Sequence, residues 1–348
     1  MNDPTKHQIP RRRILQWTVA GTGASLLPDW ARADKGTGQP LRFGVISDIH
    51  QDIMHDAEDR LRAFIQHMSD EKPDFIVQLG DFCVPIERNR RFMEIWNQFP
   101  GPRHHVLGNH DMDGFVERKG AYAFSTQETV EYWGMPSRYY GFDAGGVHFV
   151  VLDANDPPPD HEGPRKGYSS HVAKDQVEWL EQELDASRLP VVLFSHQSLE
   201  RGRGGVSNQA EIRSVLEQAN RKAGFQKVIA CFSGHHHRDY VREINGIHYA
   251  QINSASYFWM GADYPHARYS DEIHQRHPNL RFVAPYQDPL WAMVTIDREA
   301  GLLTIDGRSS DFVAPSPWEL GADHEAFDSA TLNPAISDRK LTLPALRE

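Results

Sequence analysis

The chain has 348 residues and a formal net charge of -11, with 48 acidic side chains against 37 lysines and arginines. A surface of this sign repels polyanions at long range, so the composition argues against broad binding of nucleic acids. Hydrophobic residues make up 39% of the chain and charged residues 24%, which is the composition of a folded globular protein and excludes a disordered one.

The first predicted element is an export signal over residues 1–33. Arg11 and Arg12 precede a modestly apolar run over 17–27, and residues 31–33 then have the Ala-x-Ala pattern of a signal-peptidase site. The paired arginines are typical of twin-arginine signals, which predicts a periplasmic or secreted protein. A disordered basic tail is the alternative interpretation. No run of eighteen apolar residues occurs, so no transmembrane anchor is expected.

Short β-branched runs alternate with amphipathic segments from Leu41 onwards, a pattern typical of α/β proteins. The predicted strands cover residues 42–47, 75–79, 104–107, 138–142, 147–152, 191–194, 227–232, 240–244 and 247–252. The predicted helices cover residues 56–70, 88–98, 173–186 and 208–222. Asn245-Gly246 predicts a tight hairpin turn, and a second hairpin is predicted over 291–306. Because strands crowd together after residue 138, we expect two packed mixed sheets flanked by helices rather than one parallel sheet.

One main domain is expected over residues 34–311, since α/β folds of this length often form a single unit. Residues 312–348 contain four prolines and little periodicity, so they are interpreted as a C-terminal tail that wraps the domain. The chain has two cysteines, Cys83 and Cys231, which are too few for a disulfide framework. Both lie in apolar stretches and are expected to be buried thiols, with a single bridge between them as the alternative.

Polar clusters follow five of the predicted strands, where an α/β sheet presents its functional loops. The clusters are Asp48-Ile49-His50, Gly80-Asp81, Gly108-Asn109-His110-Asp111, the single residue His196, and Gly234-His235-His236-His237. A lone His is unremarkable in a chain with 19 histidines, but the same arrangement five times predicts one shared site. The glycines that precede the polar residues lack a Cβ, which would permit tight turns that direct the next side chain into the site.

The order and spacing of these clusters resemble those of the calcineurin-like metallophosphoesterase superfamily. The pattern of that family is DxH, GDxx, GNH followed by Asp or Glu, a lone His, and GHxH, and all five elements stand in order between residues 41 and 252. The resemblance implies a four-layer α-β-β-α sandwich of two mixed sheets flanked by helices. Together with the twin-arginine pattern, it indicates an exported bacterial member of the family.

The resemblance also implies two divalent metal ions with one shared ligand. The first ion would be held by Asp48, His50, Asp81 and His237. The second ion would be held by Asp81, Asn109, His196 and His235. Carboxylate, amide and imidazole ligands suit Mn, Fe, Zn or Co, and the absence of thiolate argues against a structural zinc site. Two such ions can share a hydroxide and stabilise in-line displacement at phosphorus, so a phosphodiesterase or phosphomonoesterase is predicted.

By the same resemblance, His110 would face the leaving-group oxygen as proton donor or charge stabiliser, and Asp111 would orient its ring. The alternative is that His110 only packs the loop. His104, His105 and His236 have no place in the pattern and are expected to be structural.

One position departs from the family pattern. Val84 stands where many members have Asp and where purple acid phosphatases have an iron-binding Tyr. A pair of divalent ions is therefore expected rather than an iron(III) site, and one carboxylate that supports the site in other members is missing.

A small phosphorylated substrate is expected, although the sequence does not define its organic part. Candidate contacts in loops near the last two histidine clusters are Tyr168, Arg201, Arg203, Asn253 and Tyr257.

Two other classes of function stay open. A nuclease with the same metal chemistry is disfavoured by the acidic composition, and a secreted non-catalytic protein that binds phosphate ligands is disfavoured because no ligand position is lost.

Overall fold

The structure is a computed structural model that describes residues 39–114, 120–160 and 167–343. The predicted export signal lies outside the described residues. The strands are β1 (Leu41–Ile46), β2 (Phe75–Gln78), β3 (Arg103–His105), β4 (Tyr140–Ala144), β5 (Val147–Val151), β6 (Val191–Ser195), β7 (Val228–Ser233), β8 (Tyr240–Ile244), β9 (Ile247–Gln251), β10 (Tyr257–Trp259), β11 (Val283–Pro285), β12 (Ala292–Asp297), β13 (Leu302–Asp306) and β14 (Arg339–Thr342). The helices are α1 (Ala57–Glu71), α2 (Arg90–Trp96), α3 (Thr126–Trp133), α4 (Lys174–Ala186), α5 (Gln209–Ala223) and α6 (Asp271–Arg276).

The strands form two six-stranded sheets and one short two-stranded sheet. The first sheet has the order β14-β13-β12-β1-β2-β3, the second has the order β4-β5-β6-β7-β9-β8, and β10 pairs with β11. Strands β1, β2 and β3 are parallel to one another, as are β5, β6, β7 and β9. The other pairs, β1–β12–β13–β14 in the first sheet and β4–β5 and β8–β9 in the second, are antiparallel. The expectation of two mixed sheets is therefore confirmed.

The two sheets pack face to face through a core rich in phenylalanine. Phe43 stacks on Phe75 with ring centroids 4.9 Å apart, and the edges of Phe149, Phe194 and Phe232 surround it. Burial of each such ring contributes roughly 2–3 kcal/mol to the free energy of folding. Helices α1, α2 and α3 cover the outer face of the first sheet, and α4 and α5 cover that of the second. The fold is thus the four-layer sandwich that the sequence predicted.

The helices and strands predicted from periodicity lie close to the observed ones, because their buried faces repeat regularly along the chain. In α1, for example, Leu61, Phe64, Ile65 and Met68 are buried at helical spacing. Helices α3 and α6 and strands β10, β11 and β14 were not predicted. Helix α3 nevertheless has a local signal, since Ser125 caps its first turn in a reciprocal capping box with Glu128.

Part of the segment interpreted as a tail belongs to the first sheet. Strand β14 pairs antiparallel with β13, which extends the sheet at that edge. Elsewhere in the segment, the guanidinium of Arg238 donates to the carbonyl of Phe327, and the backbone N–H of Asp239 donates to the carbonyl of Thr331. The segment is therefore held against the loop that follows His237.

Both cysteines are free and buried, which confirms the expectation of buried thiols.

Among the described residues, no helix combines the length and the apolar character that a bilayer crossing requires.

Candidate active site

The five polar clusters meet along one edge of the molecule, because each follows a strand of the parallel parts of the two sheets. Strands β1, β2 and β3 end there in the first sheet, and β6 and β7 end there in the second. Backbone hydrogen bonds join the loops, from the N–H of Asp48 to the carbonyl of Gly80 and from the N–H of Gly234 to the carbonyl of His196, both at 3.0 Å. The loops therefore form one connected unit.

Left-handed backbone conformations recur among the predicted metal ligands. Positive φ angles, between 50° and 71°, occur at five of them: Asp48, His50, Asp81, His235 and His237. For residues other than glycine this conformation costs about 1–2 kcal/mol, so it persists only where the surrounding structure imposes it. Such strain is concentrated at functional sites, where it directs side chains that a relaxed loop would not.

The glycines of the clusters have two different roles. Gly80 has a φ of 101°, a conformation that other residues rarely adopt, as the sequence led us to expect. Gly108 and Gly234 instead allow close approach: a Cβ at Gly108 would overlap Asp81, and one at Gly234 would overlap Ser47 and Asp48. These two glycines therefore make room for the carboxylates rather than for a turn.

Replacing Gly108 by alanine is expected to weaken metal binding at least tenfold, because the new methyl group displaces the Asp81 carboxylate. Calorimetric titration of the metal-free protein with Mn²⁺ measures this effect. Gly202→Ala is the matched control, since the nearest atom to a Cβ there is 3.7 Å away in the side chain of Gln209. Equal metal affinities of the two variants would contradict this account of Gly108.

The first predicted ligand group has donor atoms at metal-binding spacing. His50 Nε2 lies 3.3 Å from His237 Nε2 and 3.5 Å from Asp81 Oδ2, and His237 Nε2 lies 3.2 Å from Asp48 Oδ1. Ligand atoms about 2.1 Å from a common ion stand roughly 3.0–3.4 Å apart in tetrahedral or octahedral geometry. The spacing of these four side chains suits one such ion.

The second predicted ligand group is centred on His196, which is fully buried. Its Nε2 atom lies 3.2 Å from Asp81 Oδ2, from Asn109 Oδ1 and from His235 Nδ1. Asp81 Oδ2 therefore lies within 3.5 Å of a ring nitrogen of each group, as expected of a bridging ligand.

The hydrogen bonds of the Nδ1 atoms of these histidines determine whether the Nε2 atoms, which face the site, have a lone pair for a metal ion. His237 Nδ1 donates to the carbonyl of Tyr257 at 2.7 Å, and His196 Nδ1 donates to the carbonyl of Leu79 at 2.8 Å. His50 Nδ1 faces the carboxylate of Asp52 at 3.2 Å. In the neutral rings the Nε2 atoms then have lone pairs, and two lone pairs 3.3 Å apart, as in His50 and His237, cannot share a hydrogen bond. The donor set thus fits a cation in both groups.

The charges of the buried side chains also indicate a site for cations. Burial favours the neutral form of Asp48, but His237 and His196 outweigh it and hold the pKa of its carboxyl below the usual range. Burial would lower the pKa of His196, but Asp81 and Asp48 raise it to about 9. Burial lowers the pKa of His235 to about 3, so this ring is neutral at physiological pH. The two buried carboxylates create a negative potential that attracts positive charge.

His110 stands beside the ligands with its side chain 27% exposed. Its backbone N–H donates to Asp81 Oδ1 at 2.8 Å, and its ring lies 5.0 Å from that of His50, centroid to centroid. The structure corrects the role predicted for Asp111. The carboxylate of Asp111 accepts hydrogen bonds from the N–H groups of Asp81, Phe82 and Gly108, so it fixes the backbone of two ligand loops instead of the His110 ring.

A family model for calcineurin-like phosphoesterases matches residues 41–239, which is more than half of the chain. The chain belongs to the calcineurin-like phosphoesterase family. This phosphoesterase is 24% identical to the manganese-dependent ADP-ribose/CDP-alcohol diphosphatase of Oryza sativa subsp. japonica, over 62% of this chain and 84% of that protein. The crystal structure of a dimetal phosphatase from Danio rerio is similar in fold, with a TM-score of 0.55, 16% identity, and coverage of 88% of this chain and 100% of that chain.

Membership of the family confirms the resemblance that the sequence motifs carry. The chain is a metal-dependent phosphoric ester hydrolase, and its clusters of carboxylates and imidazoles could hold divalent metal ions.

The candidate substrate contacts of the phosphoesterase differ in position. Tyr168 is 47% exposed and its hydroxyl lies 3.2 Å from His110 Nδ1, so it is at the site. Tyr257 is buried, and its ring packs against those of His50 and His237 at 4.9 and 4.8 Å. The prediction for Asn253 is wrong, because its fully buried amide donates to the carbonyls of residues 333 and 335. Arg201 and Arg203 lie in the loop after β6, and their contact with substrate stays a prediction.

Sequence reasoning missed two carboxylates of the phosphoesterase site, Asp52 and Asp113. Both face the ring of His110, and their side chains are 6% and 5% exposed. Their spacing was the available signal, because Asp52 is two residues after His50 and Asp113 is three residues after His110.

His104, His105 and His236 lie outside the ligand groups, in agreement with the sequence. His105 packs between Trp96 and Trp133, and burial lowers the pKa values of His104 and His105 to about 3. His236 turns away from the site and bonds through Nε2 to the hydroxyl of Ser198.

Acid is expected to destabilise the phosphoesterase through His105. An unfolded histidine takes up a proton below about pH 6.5, whereas the buried ring does so only below about pH 3. Between these values unfolding takes up a proton, so the unfolding free energy falls as the pH is lowered. Urea titrations of the metal-free protein at several pH values measure the unfolding free energy. As the pH is lowered, the unfolding free energy of wild type should fall more steeply than that of His105→Gln, by up to about 1.4 kcal/mol per pH unit. Parallel pH profiles would contradict this.

Proposed function

We propose that this chain hydrolyses a small phosphodiester or phosphomonoester with two divalent metal ions, one in each ligand group. The observation that carries the proposal is Asp81 Oδ2, which lies within 3.5 Å of a histidine of each group. When bound, the ions would supply a hydroxide nucleophile at neutral pH and positive charge beside the oxygens of the phosphoryl group.

The residues of the chain would divide the remaining work. The ligand groups fix the two ions, and Asp111 holds the loops of Asp81 and Gly108 at their present separation. His110 would face the leaving group. As hydroxide adds to phosphorus and the bond to the leaving oxygen breaks, the electron pair of that bond stays on the leaving oxygen. His110 would then give this oxygen a proton from Nε2 of its protonated ring.

The identity of the metal is proposed as Mn, Fe, Zn or Co, on the chemistry of nitrogen and oxygen ligands without thiolate. The rice relative is named as manganese-dependent, which supports Mn²⁺ as the first ion to be tested. The same name supports nucleotide-like diphosphates, such as ADP-ribose and CDP-alcohols, as substrates to be assayed first. The acidic composition supports small substrates over nucleic acids.

The test uses purified protein that has been stripped of metal and reloaded with Mn²⁺ or Zn²⁺. We expect hydrolysis of bis-p-nitrophenyl phosphate or p-nitrophenyl phosphate only after reloading, and the ratio of the two rates gives the ester preference. Undiminished activity after removal of metal would overturn the two-metal mechanism. Cleavage of single-stranded DNA at comparable rates would favour the nuclease, and metal binding without any hydrolysis would favour the non-catalytic phosphate-binding protein.

We further propose that residues 1–33 direct the protein to the periplasm or out of the cell. The paired Arg11 and Arg12 before a modestly apolar run support a twin-arginine signal. Changing both arginines to lysine should retain the full chain in the cytoplasm of a bacterial host with that pathway, as measured by cell fractionation. Unchanged export would contradict the proposal.

A further inference from the structure

The ring of His110 is contacted on one side by three polar side chains that the family pattern does not include. Its Nδ1 atom lies 3.0 Å from Asp113 Oδ2, 3.2 Å from the hydroxyl of Tyr168 and 3.6 Å from Asp52 Oδ2. Within the described residues, every polar contact of the ring is made by Nδ1. The Nε2 atom is therefore left for the substrate.

Asp113 is the principal partner of this ring. Its side chain is 5% exposed, and its Oδ2 atom is close enough to Nδ1 to accept a hydrogen bond from it. The hydroxyl of Tyr168 donates to the same oxygen at 2.5 Å, which fixes the carboxylate from its outer side. A hydrogen bond to a buried carboxylate fixes both the orientation and the tautomer of an imidazole, because Nδ1 must then have the proton.

Asp52 connects His110 with a metal ligand. One oxygen of its carboxylate, Oδ1, lies 3.2 Å from Nδ1 of His50, and the other, Oδ2, lies 3.6 Å from Nδ1 of His110. This second oxygen is buried and has no hydrogen-bonding partner among the described residues, so it acts on His110 by charge alone. One carboxylate thus faces both the ligand ring and the proton-donor ring.

The carboxylates that face His110 are not at the positions where the family pattern has acidic residues. Val84, at the position where many family members have Asp, is buried and apolar. Asp111, the acidic residue next to His110 in sequence, accepts hydrogen bonds from backbone N–H groups instead. Asp52 and Asp113 approach the ring from two different loops, those after β1 and β3.

We infer that Asp113, Asp52 and Tyr168 are positioning residues that hold the Nδ1 side of His110 and direct Nε2 towards the leaving group. This inference rests on the role of His110 in the proposed function. Asp113 and Tyr168 contact His110, whereas Asp52 faces both His110 and the ligand His50. Loss of Asp113 or Tyr168 should therefore affect proton donation by His110, whereas loss of Asp52 should also affect metal binding.

The experiment compares two substrates that differ only in the leaving group, phenyl phosphate and p-nitrophenyl phosphate, or the corresponding diesters. Phenolate needs a proton more than p-nitrophenolate does, so loss of a well-placed acid slows the phenyl ester selectively. For Asp113→Asn we expect kcat to fall about ten- to hundredfold with the phenyl ester and less than about threefold with the p-nitrophenyl ester. Tyr168→Phe should show the same selectivity with a smaller loss.

Metal binding separates the two carboxylates without any measurement of activity. Titration of the metal-free variants with Mn²⁺ should give a wild-type affinity for Asp113→Asn and an affinity about 10–100-fold weaker for Asp52→Asn. Nitrogen-15 NMR of the metal-free protein should show a proton on Nδ1 of His110, and Asp113→Asn should change that signal. Asp143→Asn is the matched control, because Asp143 pairs with Nδ1 of His148 at 2.6 Å on β5, outside the site.

Several outcomes would overturn the inference. Equal losses of Asp113→Asn with both esters would assign Asp113 a structural role, as would weakened metal binding in that variant. His110→Gln separates this inference from the proposed function. If His110→Gln shows no dependence on the leaving group, the proposed role of His110 fails; if it does and Asp113→Asn does not, only the positioning inference fails.

Discussion

Replacing Asp81 by asparagine is expected to lower hydrolysis by at least about 10³-fold. The side chain keeps its shape, and an amide oxygen can still accept the hydrogen bond that Asp81 Oδ1 receives from the N–H of His110. What is lost is the anionic oxygen that lies 3.2 Å from His196 Nε2 and 3.5 Å from His50 Nε2. A neutral bridge holds two cations poorly, and loss of several kcal/mol of charge stabilisation corresponds to this factor.

Two measurements check the Asp81 prediction. Metal content by mass spectrometry of the purified variant should fall below two ions per chain, and kcat/KM with either p-nitrophenyl ester should fall with it. Asp185→Asn is a suitable control, since Asp185 is an exposed carboxylate paired with Lys222 on the far side of the second sheet. Near wild-type activity of Asp81→Asn would refute the bridging role.

His110→Gln is expected to lower kcat about 10²–10⁴-fold for substrates with poor leaving groups, while the metal content stays at the wild-type level. The backbone N–H of residue 110 keeps its bond to Asp81, so the ligand groups should persist. The variant loses the ring that Asp113 holds at 3.0 Å and with it the proton for the leaving oxygen. Glutamine can donate a hydrogen bond but does not transfer a proton at neutral pH.

Rates with phenyl and p-nitrophenyl esters test this prediction directly. A large loss with phenyl and a small one with p-nitrophenyl would assign His110 to protonation of the leaving group. A loss of metal together with equal losses for both esters would instead show that His110 supports the ligand loops, which is the packing alternative that the sequence left open.

Sequence patterns were sufficient where the physical cause is local. Strand β1 ends at Ile46, two residues before Asp48. Strand β6 ends at Ser195 directly before His196, and β7 ends at Ser233, two residues before His235. A buried strand has a fixed direction, so a polar residue just beyond its carboxyl end projects from the same edge of the sheet as its neighbours. The residues that would form both ligand groups could therefore be named in advance, and the structure brings them together.

The surroundings of those residues depend on contacts between distant parts of the chain. The assignment of Asp111 as the partner of His110 used adjacency in sequence, but Asp113 occupies that place because His110 begins a short 3₁₀ turn over His110–Met112. Asp52 reaches His110 from another loop altogether. Asn253, interpreted as a substrate contact, is buried under a C-terminal segment. The periodicity of the sequence did not show that this segment contributes a strand to the first sheet.

The sequence by itself determined the family, the order of the main strands and helices, and the set of side chains that converge at the strand ends. Its local patterns show which segments are buried and in which direction each strand runs. Tertiary structure alone decided which carboxylates face His110, why Gly108 and Gly234 tolerate no Cβ, and where the C-terminal segment docks. These features depend on distances of a few ångströms between residues far apart in sequence, and only the packing of the two sheets sets those distances.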